Sequence, residues 1–167
     1  MTTVTATATP VPPPPQGAET YRLALPSTAT APRIARDFVT SLLGLSRHRN
    51  LVDDARLCVT EVVTNAHRHT RTPLIRVRVT VNRKQVTVSV SDDKPWALPT
   101  PVTPTARTAP GAVRAGGEQD SGRGLVLVES LALAWGSTIY GGCSPSHKTV
   151  WFTLSEASNE VAGRWNQ

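Results

Sequence analysis

Glu61-Val62-Val63-Thr64-Asn65 is the stretch on which the reading of this chain turns. It lies inside a helical pattern running from roughly Asn50 to His69. At about 100° per residue, Leu51, Ala55, Cys58, Val62 and Ala66 fall in one stripe, and Val52, Val59 and Val63 broaden it. Glu61 and Asn65 are four apart, so they stack one turn above the other along a border of that stripe. A carboxylate and a carboxamide are both oxygen donors, suited to a hard cation and to a positioned proton acceptor. Such a pair also occurs on ordinary polar helix borders. Its meaning therefore rests on what surrounds it.

Downstream, Leu74 to Val81 and Gln85 to Ser91 alternate apolar and polar residues and read as strands joined by an Asn82-Arg83-Lys84 hairpin. Each offers one apolar face, which predicts an antiparallel sheet with one side solvated and the other covered by helices. Asp92 has the phase of Val86, Val88 and Val90, so it arrives on the covered side, while Asp93 points away. A carboxylate buried there needs a partner, because burying it alone costs several kcal/mol, roughly. A bound donor such as an amino group on a purine would serve, although a plain strand-end turn aspartate has the same look. From Asp93 to Asp120, prolines, threonines and glycines carry no periodicity, as in a functional lid or a disordered loop; Trp96 and Leu98 are its expected apolar anchors. Ser121-Gly122-Arg123-Gly124-Leu125 ends the loop and opens a short helical pattern, Leu125, Val128, Leu131 and Ala132. Glycines at a helix start let backbone N–H groups approach an anion. Trp135 to Tyr140 and Thr149 to Leu154 read as two further strands around a Gly141-Gly142 turn.

Upstream, Ile34, Phe38, Leu42 and Leu45 recur at helical spacing, predicting a first helix from about Pro32 to Leu43 with Gly44 as its stop. Tyr21 to Leu25 reads as a short edge strand ended by Pro26. Residues 1–18 are a Thr/Pro-rich arm that cannot build a core, and residues 156–167 a polar tail. Between them lies one domain, 19–155.

The net charge of +6 and pI near 10.1 admit an acidic partner. The basic residues are scattered and lack an aromatic stacking platform, so nucleic acid is not expected. Cys58 and Cys143 are 85 positions apart with no CxxC, which predicts neither a zinc site nor a disulfide framework. His67 and His69 are two apart and point to different sides of a helix; His69 extends the series 61, 65, 69, or simply closes the helix end. The start of the chain has no signal-peptide pattern and no stretch is long enough to span a membrane, so the expected location is the cytoplasm.

An oxygen-donor pair on a helix, an aspartate ending a core strand 27 positions later and a Gly-x-Gly opening a helix after a long loop stand in a definite order. That order resembles the GHKL superfamily of ATP-binding domains, which includes gyrase, heat-shock-90-type chaperones, sensor histidine kinases and mismatch-repair proteins. Within it the chain is most similar to small actinobacterial anti-sigma factor/serine-threonine kinases. Glu61-Val62-Val63-Thr64-Asn65-Ala66 matches the N box, Asp92 the adenine-binding aspartate, Ser121 to Leu125 the second glycine box, and Lys148-Thr149-Val150-Trp151 the closing strand. The resemblance covers about Leu23 to Leu154.

The resemblance implies an α+β two-layer α/β sandwich, the Bergerat ATP-binding fold, with a mixed, mostly antiparallel sheet of four or five strands and helices on one face. It implies ATP and Mg²⁺ as ligands. Glu61 would be the general base toward a Ser or Thr hydroxyl, and Asn65 the Mg²⁺ ligand. Asp92 would accept from the adenine amino group, with Ser121, Gly122, Arg123, Gly124, Leu125 and Thr149 completing the nucleotide site. The partners implied are an anti-sigma-factor antagonist protein as substrate and a sigma factor, with a homodimer and no membrane. Two departures stand out. The first glycine box reads Asp92-Asp93-Lys94-Pro95-Trp96, stiff where the family is loose, and the basic lid residue has Arg114 and Arg123 as candidates. The rival reading is a non-catalytic module that sequesters a sigma factor or other regulator, with ATP structural or absent.

Overall fold

The computed structural model describes residues 10–13, 17–97 and 123–156, with Arg123 described by its backbone alone. The elements are β1 (Glu19–Pro26), α1 (Ala31–Leu45), a 3₁₀ turn (Arg49–Leu51), α2 (Val52–Thr70), β2 (Leu74–Val81), β3 (Gln85–Asp92), α3 (Arg123–Leu131), β4 (Ala134–Tyr140) and β5 (His147–Ser155). The strands form one five-stranded sheet in the order β1-β2-β3-β5-β4. All four pairings are antiparallel, so the sheet has no mixed portion among the described residues. The α+β two-layer architecture is as the sequence implies.

The β2–β3 turn forms because Asn82 folds its side chain back on the chain: its Oδ1 accepts from the backbone N–H groups of Lys84 at 2.7 Å and Gln85 at 3.0 Å. That turn sets the register Val77↔Val90, Val79↔Val88, Val81↔Val86, which continues into β5 as Val150, Phe152 and Leu154. These side chains make the sheet's half of the core. The helical half is the predicted stripe of α2: Leu51, Ala55, Cys58, Val59, Val62, Val63 and Ala66 are all buried. Burial pushes the Cys58 thiol up to about 12, with the Asp54 and Glu61 carboxylates adding, so it is an apolar filler. Helix α1 packs beside α2 through Ala31, Ala35, Val39 and Leu43.

Three features depart from expectation. The outer face of the sheet is not uniformly solvated. Thr87, Ser89, Thr149, Trp151 and Thr153 are buried there. β3 and β5 lie side by side within the sheet, and their hydroxyls pair across the ladder, Thr87 to Thr153 at 3.0 Å and Ser91 to Thr149 at 2.7 Å. Trp151 lies over Gly136 of the neighbouring strand, where a Cβ would stand 3.1 Å from its Cζ2. Secondly, Gly44 does not stop α1. The helix continues to Leu45 and closes at Ser46, whose backbone N–H donates to the carbonyls of Leu42 and Leu43 while its Oγ donates to Leu43. A Cβ at Gly44 would meet nothing within 4 Å. Gly44→Ala is therefore expected to stabilise the protein by about 0.5–1 kcal/mol, read as a higher urea midpoint with unchanged slope. Thirdly, Trp96 is no buried anchor: it is 72% exposed, beside a turn in which the Ala97 N–H donates to the Lys94 carbonyl and Pro95 is buried. Leu98 lies outside the described residues.

One fastening has no sequence pattern behind it. His48 is buried between the helices and the hairpin, its Nε2–H donating to the Asn82 carbonyl at 2.6 Å. Among the described residues no helix is long and apolar enough to cross a membrane.

Candidate functional site

Helix α2 carries the site. Its apolar stripe faces the sheet, so Glu61 and Asn65, on the stripe's border, are half-buried. His67 and His69 diverge as their spacing requires. His67 Nδ1 meets Ser27 Oγ at 3.0 Å, tying α2 to the end of β1. His69 instead lines a cavity of about 310 Å³ between the C-terminal end of α2 and the turn after β3, with Arg68, Arg71, Lys94, Pro95 and Trp96. Along α2 the series 61, 65, 69 thus leads to that turn, about 6 Å of axis per four-residue step.

Helix α3 covers the other end of the series. A Cβ built on Gly124 would stand 2.9 Å from Glu61 Cδ, 3.1 Å from its Cβ, and in closer contact with Oε2. Only a glycine lets the start of α3 come this near the carboxylate. Leu125, next in the chain, is buried and holds α3 down. The structure thus brings together two parts predicted from stretches some sixty positions apart, the N-box glutamate and the second glycine box. Ser121 and Gly122 lie outside the described residues, as do 98–120 of the expected lid, Arg114 included, and the side chain of Arg123.

Asp92 reaches the covered side, as its phase requires, and is buried. The partner it needs comes from the protein. Asp92 is paired with Lys148 in the β3–β5 register. The Lys148 ammonium, also buried, donates to Asp92 Oδ1 at 2.8 Å and Oδ2 at 2.7 Å, and to the Lys94 carbonyl at 3.1 Å. The Lys94 backbone N–H donates to Oδ1 at 2.9 Å. Burial pushes the Asp92 carboxyl above its ordinary range; the bonds from Lys148 and Lys94 and the ammonium charge oppose that rise, and Asp93 adds to it slightly. A carboxylate offers about four lone-pair sites, so one acceptor position remains for a further donor.

Thr149 is not brought to Asp92. Strand alternation places it on the outer face, where it bonds Ser91, and Lys148 holds the inner position. Sequence reasoning missed this residue as a site member. Its signal is its register opposite Asp92, which becomes visible only once β3 and β5 are known to pair.

For an adenine nucleotide with Mg²⁺, the residues fit in part. The Glu61–Asn65 oxygen set and the glycine contact at Gly124 suit a phosphate–metal end, whereas Lys148 engages the carboxylate expected to read the base.

A two-layer sandwich with an acidic–amide helix, a glycine-started helix laid over it and a core-side aspartate at a strand end defines a GHKL-type nucleotide-binding class. The family model of the histidine kinase-like ATPase domain matches residues 25–153, and the chain belongs to that family. No curated protein matches it significantly.

Proposed function

We propose that this protein is an ATP-binding regulator that transfers a phosphoryl group to a Ser or Thr of an anti-sigma-factor antagonist and, in its other state, holds a sigma factor. The observation that carries this reading is the contact of α3 at Gly124 with Glu61, one turn from Asn65. ATP would supply the phosphoryl group, and Mg²⁺ would neutralise its charge. The Asn65 amide oxygen is the residue that would hold the metal. Glu61, half-buried and pressed by α3, would accept the proton of the incoming hydroxyl. Asp92, fixed by Lys148 and Lys94, would use its remaining lone pair for the adenine amino group.

Labelled Mg-ATP and a candidate antagonist test this. Glu61→Gln is expected to lower transfer by about 100-fold or more while leaving nucleotide affinity within roughly twofold. Loss of both together would make Glu61 a structural residue.

The Asp92–Lys148 pair supports a second reading, a sigma-factor-binding module with ATP weakly held or absent. Wild-type protein that captures a sigma factor yet transfers no phosphate to any antagonist would establish it.

A further inference from the structure

The outer face of the sheet, opposite Glu61 and Asp92, carries Thr20, Arg22 and Ala24 on β1, and Arg76, Arg78 and Thr80 on β2. Arg22 stands directly across from Arg78, and Arg76 lies two residues along the same strand. Like charges facing each other across a ladder oppose folding. All three arginines are exposed, and among the described residues none of them forms an ion pair. No Asp or Glu occupies an outward position on any of the five strands. The half of this face over β3 and β5 is buried, so the charge is confined to the open half over β1 and β2.

We propose that this patch is a docking surface for an acidic polypeptide segment, a role beyond the nucleotide chemistry of the inner face and independent of it. Guanidinium forks pair with carboxylates in two-bond geometry. Arg76 and Arg78 repeat along β2 at about 6.8 Å, the spacing of alternate carboxylates on an extended acidic chain. A second copy packed here about a two-fold axis would set arginines against arginines. Among the described residues the outward positions of β1 and β2 carry no aromatic ring on which nucleic-acid bases would stack; on the same face Trp151 is buried and the exposed Tyr140 stands at the far edge, on β4.

The test uses the full chain and a short fluorescein-labelled peptide of alternating Glu and Thr at low salt. Arg22→Glu with Arg78→Glu is expected to weaken binding roughly tenfold or more. Arg47→Glu with Arg49→Glu, an equal charge change in the exposed α1–α2 connection, is expected to weaken it no more than about twofold. The single change Arg22→Glu places a carboxylate opposite Arg78, so the melting temperature should hold or rise while peptide binding falls. Equal losses in the two double variants would reduce the effect to net charge and overturn the proposal. So would a melting temperature that drops with Arg22→Glu, or a single-stranded oligonucleotide that outcompetes the peptide. Mg-ATP binding by the patch variant reports on the inner face separately.

Discussion

Lys148→Met is expected to destabilise the fold by about 3–5 kcal/mol at neutral pH, the range for removing one partner from a buried ion pair. Lys148 Nζ holds both oxygens of Asp92, and both residues are almost wholly buried. Without the ammonium, the main contributions that counter the burial of Asp92 disappear, and its folded-state carboxyl rises further above its unfolded value. Between those two values the folded chain holds a proton that the unfolded chain has lost, so stability falls as pH rises through that window. The variant should therefore recover much of its deficit when urea unfolding is repeated at roughly pH 4.5 instead of neutral pH. The wild type shares the sign of this effect to a smaller degree, since its Asp92 is also raised. Replacing both residues, Asp92→Leu with Lys148→Met, should restore most of the stability, because an apolar pair of similar volume is often neutral. A Lys148→Met deficit that is the same at both pH values would show that packing of the lysine stem, and not the charge, matters.

The second large effect is expected at Gly124. Gly124→Ala forces a methyl group onto the Glu61 carboxylate, 2.9 Å from Cδ. The obstructing atoms are mostly the far end of a flexible side chain, so the carboxylate swings aside more readily than α3 lifts away. Alanine is also the better helix former. Stability should therefore change little, while phosphoryl transfer under the proposed function falls by about 100-fold, the cost of misplacing a reacting group by around an ångström. Thermal unfolding and labelled-ATP transfer on the same preparation decide it. Full transfer combined with a lowered melting temperature would remove Glu61 from the chemistry and leave it as a packing contact.

Local patterns carried most of the architecture. The α2 stripe, the valine alternation of β2 and β3, and the Asn82 turn are short-range properties of the chain, where one residue's neighbours decide its place. They were legible from local pattern, and the buried stripe matches the predicted one at every position but Val52, which is only partly buried. Gly44 was misread because a glycine near a helix end looks like a stop; Ser46 closes the helix with its own hydroxyl and N–H instead.

What the sequence by itself determined was the inward phase of Asp92, the one-turn stacking of Glu61 on Asn65, and the glycine start of α3. Tertiary structure decided which groups meet them. Lys148 reaches Asp92, and Thr149 does not, because a one-residue step in strand register exchanges the two faces of a sheet. Gly124 reaches Glu61 because α3 packs across α2 after a long connection. Arg22 faces Arg78 because β1 and β2 pair across the whole of α1 and α2. Each of these is a contact between segments distant in the chain, set by the pairing and packing of whole elements, and local spacing holds no record of it.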